Sequence, residues 1–207
     1  MAGAGDDTLR GGAGIDNDTL TGGDGIDTLD LQELTGPLVV NLGTRSITGS
    51  LSGSAVTVTG GSSQGDGTDS LSGIENLIGS GSGDTLVGSS GNNVIDGGGG
   101  ADVINAGTGS DQIVYDGNDA KVLGGAGTND KLVIGANQSL VDLTLVQDAI
   151  FSGFETIDLT AAGSQSVKLS ETDVFALTRG TSEVSFPSLA VGETFTLAGL
   201  TYIADTS

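Results

Sequence analysis

Residues Gly79 to Val114 read GSGSGDTLV, GSSGNNVID, GGGGADVIN and AGTGSDQIV, four consecutive nine-residue units without a slip in phase. Each opens on a small residue, carries Asp or Asn sixth (Asp84, Asn93, Asp102, Asp111) and an aliphatic residue eighth (Leu86, Ile95, Ile104, Ile113). A short fixed period of this kind marks a stacked, repetitive architecture rather than a globular core. The glycines adopt left-handed conformations and expose backbone carbonyls, and the triplet around the aliphatic residue makes a short strand. Two units complete one coil, so units two apart stack on the same side: Leu86 under Ile104 in one sheet, Ile95 under Ile113 in the other.

Outward from this block the design continues with irregularities. YDGNDAKVL follows from Tyr115, and GGAGTNDKLV from Gly124 restores the pattern with one inserted residue. At the N-terminus stand AGAGDDTLR from Ala2, GGAGIDNDTLT from Gly11 with two extra residues, and GGDGIDTLD from Gly22, while QGDGTDSLS from Gln64 is a weaker copy.

Composition agrees. The chain of 207 residues has 38 Gly, 5 Phe, 2 Tyr and no Trp, poor material for an ordinary core. Acidic residues are mostly Asp, which favours tight turns, against six Glu. A formal charge of −21 with six Lys and Arg excludes the basic footprint that nucleic acid or an anionic membrane requires, and makes cations the expected partners. Cys and His are both absent, which removes thiolate sites, the usual Zn²⁺ ligands and the usual general base. A bound metal should therefore be a hard, oxygen-liking ion such as Ca²⁺. No apolar run reaches the roughly 20 residues of a spanning helix. The N-terminal MAGAGDDTLR lacks an apolar secretory stretch, and Met1 directly before a turn motif reads as the start of an excised fragment.

The units resemble the hemolysin-type calcium-binding repeat GGxGxDxUx of RTX proteins, and DSLSGIENLIGSGSGDTLVG from Asp69 resembles the lead-in to such arrays. The resemblance implies an all-β parallel β-roll that holds several Ca²⁺ ions between turns two units apart. Carried onto matching positions, Asp84 pairs with Asp102 and Asp111 with Asp130, completed by carbonyls of Gly97, Gly99, Gly107, Gly109, Gly124 and Ala126. Asn93 stands where an Asp should face Asp111 and offers one neutral oxygen. Ala120 stands above Asp102 and offers none, unless Asp119 swings into its place. Asp69 joins the ligand set from the weaker copy. In the first block Asp7 and Asp27 flank a unit in which Asp16 or Asp18 takes the ligand role, with Asp18 entered in the set.

This divides the chain into N-terminal repeats (1–30), metal-free β coils (31–63), the main calcium-binding roll (64–133) and a β-rich capping region (134–207). Alternation at Leu38 to Leu42 and Ala55 to Thr59 supports strands in the second part. Strand-like runs at Leu140 to Val146, Thr156 to Leu159, Gln165 to Leu169 and Thr194 to Ile203 do so in the last. Ser170 to Asp173 predicts one short helix before Val174. Four of five Phe lie beyond residue 150, an aromatic end suited to capping an open solenoid.

Other patterns fail on chemistry. GSSQG at Gly61 to Gly65 fits a nucleophile elbow, yet no histidine exists to activate Ser63. DNDTLT from Asp16 lacks the glycine and third acidic position of an EF-hand, and an ice-binding ladder needs matched Thr where Thr108 meets Ser90 and Ala126. The Gly/Asp-rich composition alone also suits a solvated linker, but a linker needs no aliphatic at every eighth place. The resemblance implies a non-catalytic extracellular module, exported through type I secretion and folding on Ca²⁺. Its setting would be a large bacterial cell-surface adhesin or surface-layer protein with neighbouring modules as partners, and no direct membrane insertion. The alternative setting is the carboxyl-terminal appendage of a secreted metalloprotease, lipase or epimerase.

Overall fold

The computed structural model describes residues 1–11, 16–51, 53–65, 67–135 and 151–158, and, as strand backbone, 140–142, 166–168, 183–185, 194–197 and 200–203. Two eight-stranded sheets lie face to face, and every described element is a strand. The first sheet runs Thr8–Leu9, Thr28–Asp30, Asn76–Ile78, Val94–Asp96, Gln112–Tyr115, Lys131–Ile134, Thr156–Asp158 and Glu183–Ser185, parallel throughout. The second runs Phe151–Ser152, Lys121–Leu123, Val103–Asn105, Thr85–Val87, Val39–Asn41, Ser62–Gln64, Thr68–Ser72 and Thr19–Thr21. The nine-residue unit sends successive strands to opposite sheets, so the roll follows directly from the period.

Register matches the sequence expectation residue for residue: Leu86 pairs with Ile104, and Ile95 with Ile113. All four are fully buried, as are Leu29, Leu77, Val122 and Leu132 in the same inward rows. One such side chain per strand, worth about 1.5–3 kcal/mol on burial, gives a core a single side-chain layer deep from each sheet. The glycine turns set how closely coils approach. Gly98 and Gly107 have φ of +84° and +105°, and a Cβ on either would collide with the carbonyl of Ser80 or Ser89 in the coil below.

The segment 31–63 departs from the expected stack of metal-free coils. Only Val39–Asn41 occupies a coil position, parallel to Thr85–Val87. Ile47–Leu51 and Ser54–Val58 instead form an antiparallel hairpin, and Ser62–Gln64 pairs antiparallel with both Val39–Asn41 and Thr68–Ser72. A tight return at Gly53, with φ of +84°, reverses the chain where a coil would carry it across to the other sheet. Gly49 lies against Val39 and Thr85, so the hairpin covers the outer face of the second sheet and buries Val39 from both sides. The inserted Asn129 of the Gly124 unit is absorbed at φ of +101°, the one non-glycine in that region among the described residues. At the carboxyl end, Thr194–Leu197 and Leu200–Ile203 form an antiparallel hairpin. The short helix expected from Ser170 lies outside the described residues.

Candidate metal centres

The sixth-position side chains form two columns, one along the edge of each sheet. Within a column each carboxylate reaches down one coil to a backbone amide. Asp102 Oδ1 accepts from the Asp84 N–H at 2.7 Å, Asp111 Oδ1 from the Asn93 N–H at 2.8 Å, and Asp130 Oδ1 from the Asp111 N–H at 2.8 Å. The N-terminal block obeys the same rule: Asp27 Oδ1 accepts from the Asp7 N–H at 2.9 Å and Asp69 Oδ1 from the Asp18 N–H at 3.0 Å. Asp18, not exposed Asp16, therefore occupies the sixth position, since Leu20 is in register with Leu71.

The second carboxylate oxygen separates the turns into two kinds. In Asp27, Asp102, Asp111 and Asp130, Oδ2 is buried and has no hydrogen-bond partner. An unsatisfied buried acceptor costs on the order of 1–3 kcal/mol, and more when charged. Four at equivalent places of the repeat offer a cation an oxygen that the chain leaves unbonded.

Asp84, Asn93 and Asp69 are closed by the chain itself. Asp84 Oδ2 accepts from the Ser80 N–H at 2.7 Å, and its Oδ1 from the Leu38 N–H at 2.8 Å and the Ser80 hydroxyl at 3.1 Å. Asn93 Oδ1 accepts from the Ser89 N–H at 2.8 Å, and Asn93 Nδ2 donates to the Glu75 carbonyl at 2.5 Å. Asp69 Oδ2 accepts from the buried Ser63 hydroxyl at 2.8 Å, which assigns Ser63 a structural bond. The cause is local. In the coils at Asp102 and Asp111 the second residue is Gly98 or Gly107, whose amide donates to Asp96 Oδ1 or Asn105 Oδ1 in the preceding strand. Ile78 and Val87 stand at those places before Ser80 and Ser89 and have no side-chain acceptor, so the serine amide turns to the carboxylate or amide of its own unit.

The gap at Ala120 is filled from the side. Ala120 is exposed, whereas Asp119 is 6% exposed, with its carboxylate beside that of Asp102. Burial first pushes both carboxyls well above the usual range; the charges of Asp119 and Asp84 add to it for Asp102, and those of Asp116 and Asp96 for Asp119, whose hydrogen bond with Asp102 works the other way. Burial likewise lifts Asp111 to about 6, with Asp130 adding to it, and raises Asp84 and Asp130. Such shifts mark sites where negative charge is held against solvation and repulsion.

Backbone oxygen is close at hand. A Cβ on Gly79 would meet the Gly97 carbonyl and Asp84 Oδ2, and one on Gly22 would meet the Gly73 carbonyl and Asp27 Oδ2. The absent side chain leaves a small oxygen-lined cradle at the first position of the unit. The Gly107 carbonyl also accepts from the Ala126 N–H at 2.9 Å, while Gly99, Gly109 and Gly124 lie in the same turns. Among the described residues no three carboxylates converge on a point. A cation held in such a turn would draw on at most two carboxylates and take its remaining oxygens from the backbone, as suits a hard ion with six to eight flexible ligands.

The sequence model of one family, the RTX calcium-binding nonapeptide repeat, matches residues 13–31 and 78–113 in four copies. These residues carry RTX-type calcium-binding repeats. No curated protein matches it. The unpartnered oxygens of Asp102 and Asp111 fall inside the matched repeats, so the donor chemistry and the RTX assignment agree on Ca²⁺. Ca²⁺ held by Asp102 and Asp111 would supply the positive charge that neighbouring carboxylates lack. Sequence reading missed two further acids that continue the hydrogen-bonded column. Glu75 Oε2 accepts from the Asp27 N–H at 2.9 Å, and Glu155 Oε2 from the Asp130 N–H at 2.7 Å. Each lies two residues before an inward aliphatic, Leu77 or Ile157, the spacing that could have revealed them.

Proposed function

We propose that this chain is a non-catalytic extracellular module that folds when it meets Ca²⁺ after secretion, one segment of a large bacterial adhesin or surface-layer-like protein. The observation that carries this reading is the set of buried, unpartnered Oδ2 atoms at Asp27, Asp102, Asp111 and Asp130. Without metal these carboxylates stand close to the acids of neighbouring coils in their columns, and mutual repulsion opposes coil stacking. A ligand that binds only the stacked state stabilises it by mass action. Extracellular Ca²⁺ reaches the range of about 10⁻⁴ to 10⁻³ M at which extracellular modules bind, whereas cytosolic Ca²⁺ does not, so the chain would stay open until exported.

The ligand set proposed is Asp102, Asp111 and Asp130 with the carbonyls of Gly97, Gly99, Gly107, Gly109, Gly124 and Ala126. Asp119 stands in for Ala120, and Asp7, Asp18 and Asp27 serve the first block. Asp84, Asn93 and Asp69 act mainly through the hydrogen bonds that close them. Absence of His and Cys and the ligand register of the carboxylates leave no candidate nucleophile and base, and the excess negative charge disfavours nucleic acid. No described helix is long and apolar enough to cross a membrane. Neighbouring modules would continue the stack at its open ends.

Circular dichroism of the chain in chelator and then in rising Ca²⁺ tests this. β signal should appear with Ca²⁺ and revert on chelation. Identical spectra in both conditions, from protein shown to be metal-free at the start, would refute it.

A further inference from the structure

The roll has two seams where the nine-residue register breaks, and the same six-residue pattern stands at both: Ser72-Gly73-Ile74-Glu75-Asn76-Leu77 and Ser152-Gly153-Phe154-Glu155-Thr156-Ile157. We propose that Glu75 and Glu155 are cation ligands, completing with Asp27 and Asp130 two seam sites for Ca²⁺ that lie outside the regular repeats. This rests on the calcium reading above.

The two seams superimpose bond for bond. The Glu75 and Asn76 amides both donate to the Asp27 carbonyl, at 3.0 and 2.9 Å, and the Glu155 and Thr156 amides both donate to the Asp130 carbonyl, at 3.0 and 3.1 Å. Gly73 and Gly153 take φ of +57° and +76°, and their carbonyls press beside the α-carbons of Gly22 and Gly124, where a Cβ would collide. The Gly22 and Gly124 amides donate to the Ser72 and Ser152 carbonyls at 3.0 and 2.9 Å.

The chemistry of Glu follows from the shortened turn. A regular unit has five residues before its sixth-position acid; here a glycine and one apolar residue do the same work. Ile74 and Phe154 turn inward and are buried, filling the space that a longer glycine loop encloses. The acid therefore starts from a different height on the turn, and one extra methylene restores its reach. Glu75 Oε2 accepts from the Asp27 N–H, and Glu155 Oε2 from the Asp130 and Asn129 N–H groups. That is the relation of Asp102 Oδ1 to the Asp84 N–H in the regular coils.

Asp27 and Asp130, directly below, are 0% and 1% exposed, and each keeps a buried, unpartnered Oδ2; that of Asp27 lies beside the place where the Gly73 carbonyl meets Gly22, and the Asp130 side chain flanks the matching contact of Gly153 with Gly124. The ion pairs among the described residues are Arg10 with Asp30 and Lys131 with Asp158, so no basic side chain neutralises either seam pair. Each seam thus presents two carboxylates and a glycine carbonyl to one hard cation. The partners lie 48 and 25 residues apart. A cation there closes the loops that carry the insert 31–73 and the stretch after Ile134, joining the three blocks of the roll into one stack.

Native mass spectrometry of the Ca²⁺-saturated chain counts the ions. Glu75→Gln and Glu155→Gln should each bind one ion fewer than the unsubstituted chain, the double variant two fewer, and Glu33→Gln, which removes an exposed charge elsewhere, the same number. Equal counts in all variants overturn the proposal while leaving the regular sites intact; an unsubstituted chain that binds no Ca²⁺ overturns the calcium reading itself. Crystals of the unsubstituted chain grown in Ca²⁺ give a reading independent of variant folding. Density for a cation about 2.3–2.6 Å from Asp27 Oδ2 and Glu75, and from Asp130 Oδ2 and Glu155, is expected, and its absence at both seams overturns the proposal.

Discussion

Ser80 closes Asp84: its amide donates to Oδ2 at 2.7 Å and its hydroxyl reaches Oδ1 at 3.1 Å. One coil above, Gly98 holds the equivalent place in left-handed conformation, its amide goes to Asp96, and Asp102 Oδ2 is left without a partner. The residue at the second position and the side chain two places before it together decide whether the amide satisfies the turn's own acid or leaves it open.

Ser80→Gly combined with Ile78→Asp, which supplies the side-chain acceptor that Asp96 gives the Gly98 amide, should convert a closed turn into an open one. The variant is expected to lose β structure in chelator and to bind one additional Ca²⁺ at saturation, read by circular dichroism and isothermal titration. No change in either measurement would separate the serine contact from metal binding.

Asp84→Ala and Asp102→Asn should fail in different ways. The first deletes the acceptor for the Leu38 and Ser80 amides, each bond to a charged group being worth about 1.5–3 kcal/mol, so it should lower stability with and without Ca²⁺. Asp102→Asn keeps an oxygen for the Asp84 amide and removes repulsion against Asp119. It should stabilise the metal-free chain, yet raise the Ca²⁺ midpoint for folding roughly tenfold, the loss of about 1.4 kcal/mol in binding. Parallel shifts for both variants would contradict the division into closed and open turns.

In chelator, acid should favour the roll. Burial raises the Asp111 carboxyl to about 6 and lifts the Asp102–Asp119 pair and Asp130 above the usual carboxylate range. A group whose folded pKa exceeds its unfolded value contributes stability below the unfolded value, near 4, and loses it as pH rises through the folded one. Metal-free β signal should therefore fall between about pH 5 and 8. Ca²⁺ binds the deprotonated carboxylates and releases protons, so its midpoint should rise as pH drops from 7.5 to 5.5. A pH-independent metal-free spectrum would count against the buried, facing arrangement.

Gly107→Ala tests the spacing of the coils. At φ of +105° the new Cβ is strained and meets the Ser89 carbonyl of the coil below. Destabilisation by more than about 1 kcal/mol is expected, visible as a lower thermal midpoint even in saturating Ca²⁺, whereas Gly36→Ala, where a Cβ meets nothing within 4 Å, should change little.

The sequence by itself determined the regular roll. Strand side chains alternate faces and the unit has nine residues, so an aliphatic at every eighth place can lie inward only if units two apart pair. Leu86 with Ile104 and Ile95 with Ile113 follow without reference to anything distant. The stacking of Asp84 under Asp102 and of Asp111 under Asp130 is the same statement made two residues earlier. The helix expected at Ser170 falls outside the described residues.

Only the tertiary structure decided what happens where the period breaks. Asp18 lies over Asp69 across 51 residues, and Asp27 under Glu75 across 48, because the chain leaves the stack, builds the hairpin of Ile47–Leu51 and Ser54–Val58, and returns. A local pattern fixes register only for residues connected through an unbroken count of units. Once the count is lost, hydrogen bonding and burial between coils choose the partner: Asp119 in place of Ala120, and Glu in place of Asp where the turn is three residues short. Whether Asp84 or Asp102 keeps an oxygen free was likewise invisible, since it depends on which way one backbone amide turns: toward Asp96 Oδ1 where the preceding strand offers that side-chain acceptor, and toward the turn's own acid where it offers the aliphatic Ile78.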